Sequence, residues 1–100
     1  MADYDNAGQQ RILQLVLTLA GHELHGLAPK DLATRLKVSP ATVTRDVHNL
    51  TQTGLAEVVQ ETGRIRLGPK LVQIAISHMN ALDRAERGLA ETRQRYSREP

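Results

Sequence analysis

"KVSPATVTRDVHNLTQTGL", residues 37–55, decides the fold. Ser39 suits an N-cap, because its hydroxyl oxygen accepts an orphan backbone N–H. Pro40 suits the first helical position, where no N–H is needed. The helix these two open is predicted to run to about Thr53, and Gly54 is placed to stop it. An ordinary surface helix carries Glu, Lys and Ala on its open side. This one has no Glu and offers Thr, Arg, His, Asn and Gln instead.

At 100° per residue, Val43, Val47 and Leu50 fall within about 60° of one another and form the core side. Opposite them lie Ala41, Arg45, His48 and Gln52, flanked by Thr42, Thr44 and Asn49. Asp46, the one acid, sits on the flank. Arg45 has the geometry to pair with guanine O6 and N7, or with phosphate. Asn49 and Gln52 carry adenine-reading amides, and threonine methyls meet thymine. Ala41 is small enough for close approach. Such a face suits a major groove, entered N-terminal end first. On an isolated helix the same residues read more readily as a solvated polar face, and it is the short helix before and the hairpin after that favour the groove.

"PKDLATRL", residues 29–36, is predicted to be a short helix, with Pro29 in its first turn and Leu32, Ala33 and Leu36 on its buried side. Joined to the next helix through Lys37-Val38-Ser39, it makes a helix-turn-helix. Residues 9–21 precede it as a helix with a broad apolar face of Ile12, Leu13, Val16, Leu17, Leu19 and Ala20, ended by Gly21. "HELHG" reads as a loop. Beyond Gly54, Val58-Val59 and Ile65-Arg66-Leu67 read as strands of a hairpin over 56–67 whose turn is "QETGR". Gly68-Pro69 opens a fourth helix, from about residue 70 to beyond 90. The expected fold is mainly α with a small β-hairpin: a winged helix-turn-helix over residues 1–69, followed by a long C-terminal helix over 70–100.

The segments "RILQLVLTLAGHE", "KDLATRLKVSPATVTRDVHNLTQTGL" and "ETGRIRLGPKLVQIA" together resemble the N-terminal DNA-binding domain of IclR-type transcription regulators, over roughly residues 10–76. By that resemblance, Ala41, Thr42, Thr44, Arg45 and His48 take the base-reading face; Asn49, from the wheel, and Ser39, at the helix start, complete the expected DNA-binding set. Arg64 and Arg66 lie in or beside the wing, and Lys70 stands where a linker helix begins. Lys30 and Arg35 meet phosphates flanking the groove. The chain departs from the family pattern in three ways. Lys37 replaces a turn glycine, and takes positive φ at some cost. Asp46 replaces a buried leucine, which thins the packing of the third helix. The family's ligand-sensing domain has no counterpart, so no effector site is expected.

The fourth helix carries its own pattern. Leu71, Ala75, His78, Leu82, Ala85, Leu89, Thr92 and Tyr96 alternate in steps of four and three, the seam of a coiled coil. Val72, Ile76 and Met79 form a second stripe that ends at Asp83. Its first half is expected to pack on the winged domain and on a partner, and its second half to form a narrower dimer seam. The site expected for dimerisation is Leu71, Ala75, His78, Leu82, Ala85 and Leu89. Gly88 weakens the helix by about 1 kcal/mol relative to alanine. A two-fold dimer would read a pseudo-palindrome.

Bulk properties bound the rest. One hundred residues make one domain with an appended helix. Tyr4 and Tyr96 are the only aromatics, so the core is Leu, Val, Ile and Ala. The absence of cysteine fits a reducing cytoplasm and excludes thiolate metal sites. Net charge is +2, but residues 29–70 hold seven bases against four acids, where polyanion contact wants them. "ILQLVLTLA", residues 12–20, is about half a membrane span, and no secretion signal is seen. His22, Glu23 and His25 share a loop, but a structural metal site wants about four ligands, so no metal is expected. No nucleophile has a matching base and no glycine-rich phosphate loop appears, so neither an enzyme nor a cofactor is expected. The expected partners are double-stranded DNA and a second copy of the chain, with control by a regulatory protein partner an open alternative. The expected function is a small cytoplasmic repressor or autoregulator. The competing class is a winged-helix protein-interaction module or adaptor.

Overall fold

The computed structural model describes residues 3–99, in the order α1 (Ala7–Leu19), α2 (Pro29–Leu36), α3 (Pro40–Gln52), β1 (Ala56–Val58), β2 (Ile65–Leu67) and α4 (Pro69–Ser97). Met1, Ala2 and Pro100, which the sequence reading includes in its two segments, lie outside the described residues. The mainly helical architecture with one antiparallel hairpin is the one expected.

α1 starts two residues earlier than the periodicity suggests, because Asn6 caps it: Asn6 Oδ1 accepts the Gln9 N–H at 2.9 Å. Its apolar face is narrower than expected, and shifted. Leu15 and Leu19 are fully buried, with Ile12 and Val16 packed beside them, whereas Leu13 and Leu17 are 63% and 66% exposed. Ala20 is exposed too. At 100° per residue the buried four share one arc, and 13, 17 and 20 lie on the adjoining side.

α2 has the predicted bounds and buries Leu32 and Ala33, with Leu36 half-buried. Lys37 ends it in the left-handed region, φ 58° and ψ 45°, as the missing turn glycine implied. The Val38 N–H then returns to the Ala33 carbonyl at 3.1 Å, satisfying a helix-end acceptor. α3 begins with Ser39 Oγ accepting the Thr42 N–H at 3.2 Å. Val43, Val47 and Leu50 enter a core shared with Leu15, Leu19, Leu27, Leu32, Ala33, Ala56 and Ile65.

In the hairpin, Ala56 faces Leu67, Glu57 faces Arg66 and Val58 faces Ile65. Val59, expected in the first strand, stands at the turn, where it accepts the Gly63 N–H at 2.7 Å and donates to the Arg64 carbonyl at 2.8 Å. Leu27, in the segment between α1 and α2, adds a third edge: its N–H and C=O both bond Ile65 at 2.8 Å. This bridge needs Gly26, since a Cβ there would lie 2.4 Å from the Ile65 carbonyl oxygen.

α4 overturns one expectation. Its first half does not pack on the winged domain: none of its 29 residues is buried, and Leu71 is only half-buried. The cause is its take-off point. The Gly68 N–H bonds the Leu55 carbonyl at 2.9 Å and the Lys70 N–H the Gly54 carbonyl at 3.3 Å. The helix therefore leaves from the end of α3 and runs unbroken through Gly88. The extents of 70 × 42 × 21 Å reflect that projection.

Candidate nucleic-acid interface

The roll of α3 about its axis is fixed from three sides. Val43, Val47 and Leu50 anchor it in the core, Ser39 holds its first turn, and Asp46 is held by α1. Asp46 is 6% exposed, not on an open flank. Arg11 Nε donates to Asp46 Oδ2 at 2.7 Å and Nη2 to Oδ1 at 3.1 Å. The hydrogen bond to Asp46, supported by its charge, raises the Arg11 guanidinium above its ordinary pKa. The sequence carried a signal for this pair. Asp46 lies about 60° from Val43 on the wheel, and an acid beside the core stripe requires a cationic partner.

That roll leaves Ala41, Thr44, Arg45, His48, Asn49 and Gln52 exposed together, with Thr42 half-buried at their edge. The short polar groups are braced on their own helix. Thr44 Oγ1 donates to the Pro40 carbonyl at 3.1 Å, and Asn49 Nδ2 to the Arg45 carbonyl at 2.9 Å. Thr42 Oγ1 lies 3.0 Å from Ser39 Oγ, and Arg45 Nη2 reaches Thr42 Oγ1 at 3.4 Å. Bracing of this kind lowers the rotamer entropy a ligand has to overcome. It leaves the Thr44 methyl, an Asn49 amide oxygen and most of the Arg45 fork for outside contact.

The surrounding cations divide into two kinds. Lys30 and Arg35 are exposed on α2, and Arg64 is exposed at the end of the hairpin turn, where its N–H donates to Thr62 Oγ1 at 3.2 Å. Arg66 is committed within the protein. Its Nε donates to Glu57 Oε1 at 2.6 Å across the hairpin and its Nη1 to the Leu24 carbonyl at 2.9 Å. The structure thus leaves the α3 face, Lys30, Arg35 and Arg64 exposed, and sets Arg66 apart as a tie between wing and loop. Leu71, Ala75, His78, Leu82, Ala85 and Leu89 stand on α4, outside this face.

In the loop before α2, Glu23 Oε1 accepts the Gly21 N–H at 2.8 Å. That bond, with one from its own backbone N–H, holds the Glu23 carboxyl below its ordinary range. Among the described residues no group of three or more His, Cys, Asp or Glu side chains is placed to hold a metal ion. No helix there is long and apolar enough to cross a membrane.

No curated protein sequence matches the chain. Solved structures do. A GntR family transcriptional regulator from Listeria monocytogenes superposes with a TM-score of 0.52 at 21% identity, over 99% of this chain and 90% of that one. A mutant of MepR from S. aureus superposes at 0.51 with 20% identity, over 83% of this chain and 63% of that one. At such identities the likeness is one of fold. The family described as "Iron dependent repressor, N-terminal DNA binding domain" matches residues 7–63, from α1 to the turn of the hairpin. That is not the IclR type, and the two readings meet at the winged helix. The iron in that description finds no fitting donor set among the described residues, where the one carboxylate of the His22–His25 loop is engaged by backbone. With more than half its length matched, the chain belongs to that family, and it carries the winged-helix DNA-binding domain of a transcription regulator, not an enzyme.

Proposed function

We propose that the chain is a small dimeric, cytoplasmic repressor or autoregulator that reads a pseudo-palindromic double-stranded DNA site. α3 enters the major groove, with Arg45, Thr42, Thr44, His48 and Asn49 toward the bases and Ala41 permitting close approach. Lys30, Arg35 and Arg64 meet flanking phosphates, and Ser39 fixes the end of α3 that leads into the groove. The α4 seam of Leu71, Ala75, His78, Leu82, Ala85 and Leu89 pairs two copies, so that two α3 helices address half-sites one helical turn, or a multiple, apart. The IclR-like "GRIRLGPKL" at 63–71 supports reading the wing as continuous with a linker helix.

The observation that carries this reading is the exposed, internally braced face of α3 on a helix whose other sides are locked. Selection of binding sites from random duplex DNA, followed by a salt titration, tests it. Enrichment of a pseudo-palindrome with steep salt dependence is expected. No enrichment, with weak binding even at low salt, would overturn it and assign the α3 face to a protein partner.

A further inference from the structure

The apolar surface of α4 is wider than one partner helix covers. At 100° per residue, Ile74, Leu71, Leu82, Met79, Val72 and Ile76 span about 200° of its first four turns. The seam of a two-stranded coil uses only the narrow a/d stripe. The remainder, centred on Val72, Ile76 and Met79, is about half exposed at each residue. The chain's own domain does not cover it. α4 is one unbroken helix of 29 residues, about 43 Å long, so it does not double back.

A second uncovered apolar edge lies on α1, where Leu13 and Leu17 stand one turn apart beside the buried Leu15 and Leu19. The two edges share a trait. Between Arg11 and Glu23 there is no Lys, Arg, Asp or Glu, and between Lys70 and Asp83 there is none either. These are the two longest stretches of the chain without one, and depletion of charge marks the buried centre of an interface. The α1 edge is about one turn long and the α4 stripe about two, ending before Asp83.

Resting on the dimer reading above, we propose that Leu13 and Leu17 of each copy seat on the Val72–Ile76–Met79 stripe of the second copy's α4. The Leu71–Ala75–His78–Leu82 stripe meets its own counterpart. The occupant is a second copy because one two-fold axis then covers both orphan edges twice, with no foreign surface required. The seam alone thins after Leu82, where Ala85 and Thr92 stand on either side of Leu89. The α1 contact adds area toward the roughly 1,600 Å² total that stable interfaces bury.

The test uses the full chain, in sedimentation or light scattering across concentration. Leu13→Glu/Leu17→Glu alters side chains exposed in the protomer, so folding, checked by circular dichroism, is retained. Self-association is expected to weaken roughly tenfold or more. Because the chain has no cysteine, engineered thiols report contact directly. With dissolved oxygen as the oxidant, Leu17→Cys mixed with Ile76→Cys is expected to form a disulfide-linked heterodimer, faster than Leu17→Cys mixed with Gln94→Cys. Monomeric wild type at tens of micromolar overturns the dimer reading and this contact together. A wild-type dimer that the double variant leaves intact, or equal cross-linking of both pairs, overturns the α1 contact alone.

Discussion

Arg11 and Asp46, 35 residues apart, form the one two-pronged side-chain ion pair among the described residues, and it joins α1 to α3. The carboxylate is buried and the guanidinium half-open to solvent. Burying a charge costs more than pairing it returns in many proteins, and losing one partner costs most. The pair therefore specifies the roll of α3 more than it adds stability.

Arg11→Ala should accordingly lower the denaturation midpoint more than Arg11→Leu/Asp46→Leu, which removes both charges and restores an apolar contact. Urea unfolding followed by circular dichroism ranks the two. The reverse order would mean that the pair is a net source of stability.

On DNA, Arg45→Ala should cost about 1–3 kcal/mol on the preferred site and relax the choice of base at one position. Arg64→Ala should weaken every sequence alike and reduce the salt slope by about one. Fluorescence anisotropy with matched and scrambled duplexes separates the two. An identical effect of both variants on all duplexes would remove Arg45 from the base-reading set.

Lys37 holds φ 58° with a full side chain. Since the left-handed region costs a non-glycine residue about 1–2 kcal/mol, Lys37→Gly should raise stability by about 1 kcal/mol after its larger unfolded entropy is counted. A lower melting temperature in the variant would show that the lysine makes a compensating contact.

Glu23 sets a pH signature. Its folded pKa is lowered, chiefly by the Gly21 N–H. The stabilisation is thus present above the ordinary value of 4.5 and lost as pH falls through the lower folded value. The melting-temperature gap between wild type and Glu23→Gln should shrink as pH is lowered below about 4.5. A gap that stays constant down to pH 3 would contradict this.

Much of the scaffold was legible because its signals are local. Pro29, Ser39 with Pro40, and Gly54 act within one turn of chain, and they marked α2 and α3 to within a residue. The α3 face followed from its wheel. What escaped reading depends on partners distant in sequence. Leu27 joins the sheet as a single residue, too short for any period to show. Leu15 and Leu13 are alike in type, and only the position of α2 and α3 decides which is inside. Arg66 looks like any wing cation until Glu57 and the Leu24 carbonyl claim it. α4 is apolar enough to lie on its own domain, and only the geometry at Gly68 sends it away.

That geometry has a consequence for how such a protein measures. A Cβ on Gly68 would lie 2.2 Å from the Gly54 carbonyl oxygen, so the chain leaving the hairpin is clamped, backbone to backbone, against the chain leaving α3. In the proposed dimer each α4 is then a rigid lever whose angle is set at one glycine pair. On that proposal, recognition would split into two independent parts: α3 would choose the letters, and the Gly54–Gly68 clamp would be the ruler for the gap between them. Changing the letters takes substitutions on α3, whereas changing the gap means rebuilding the clamp.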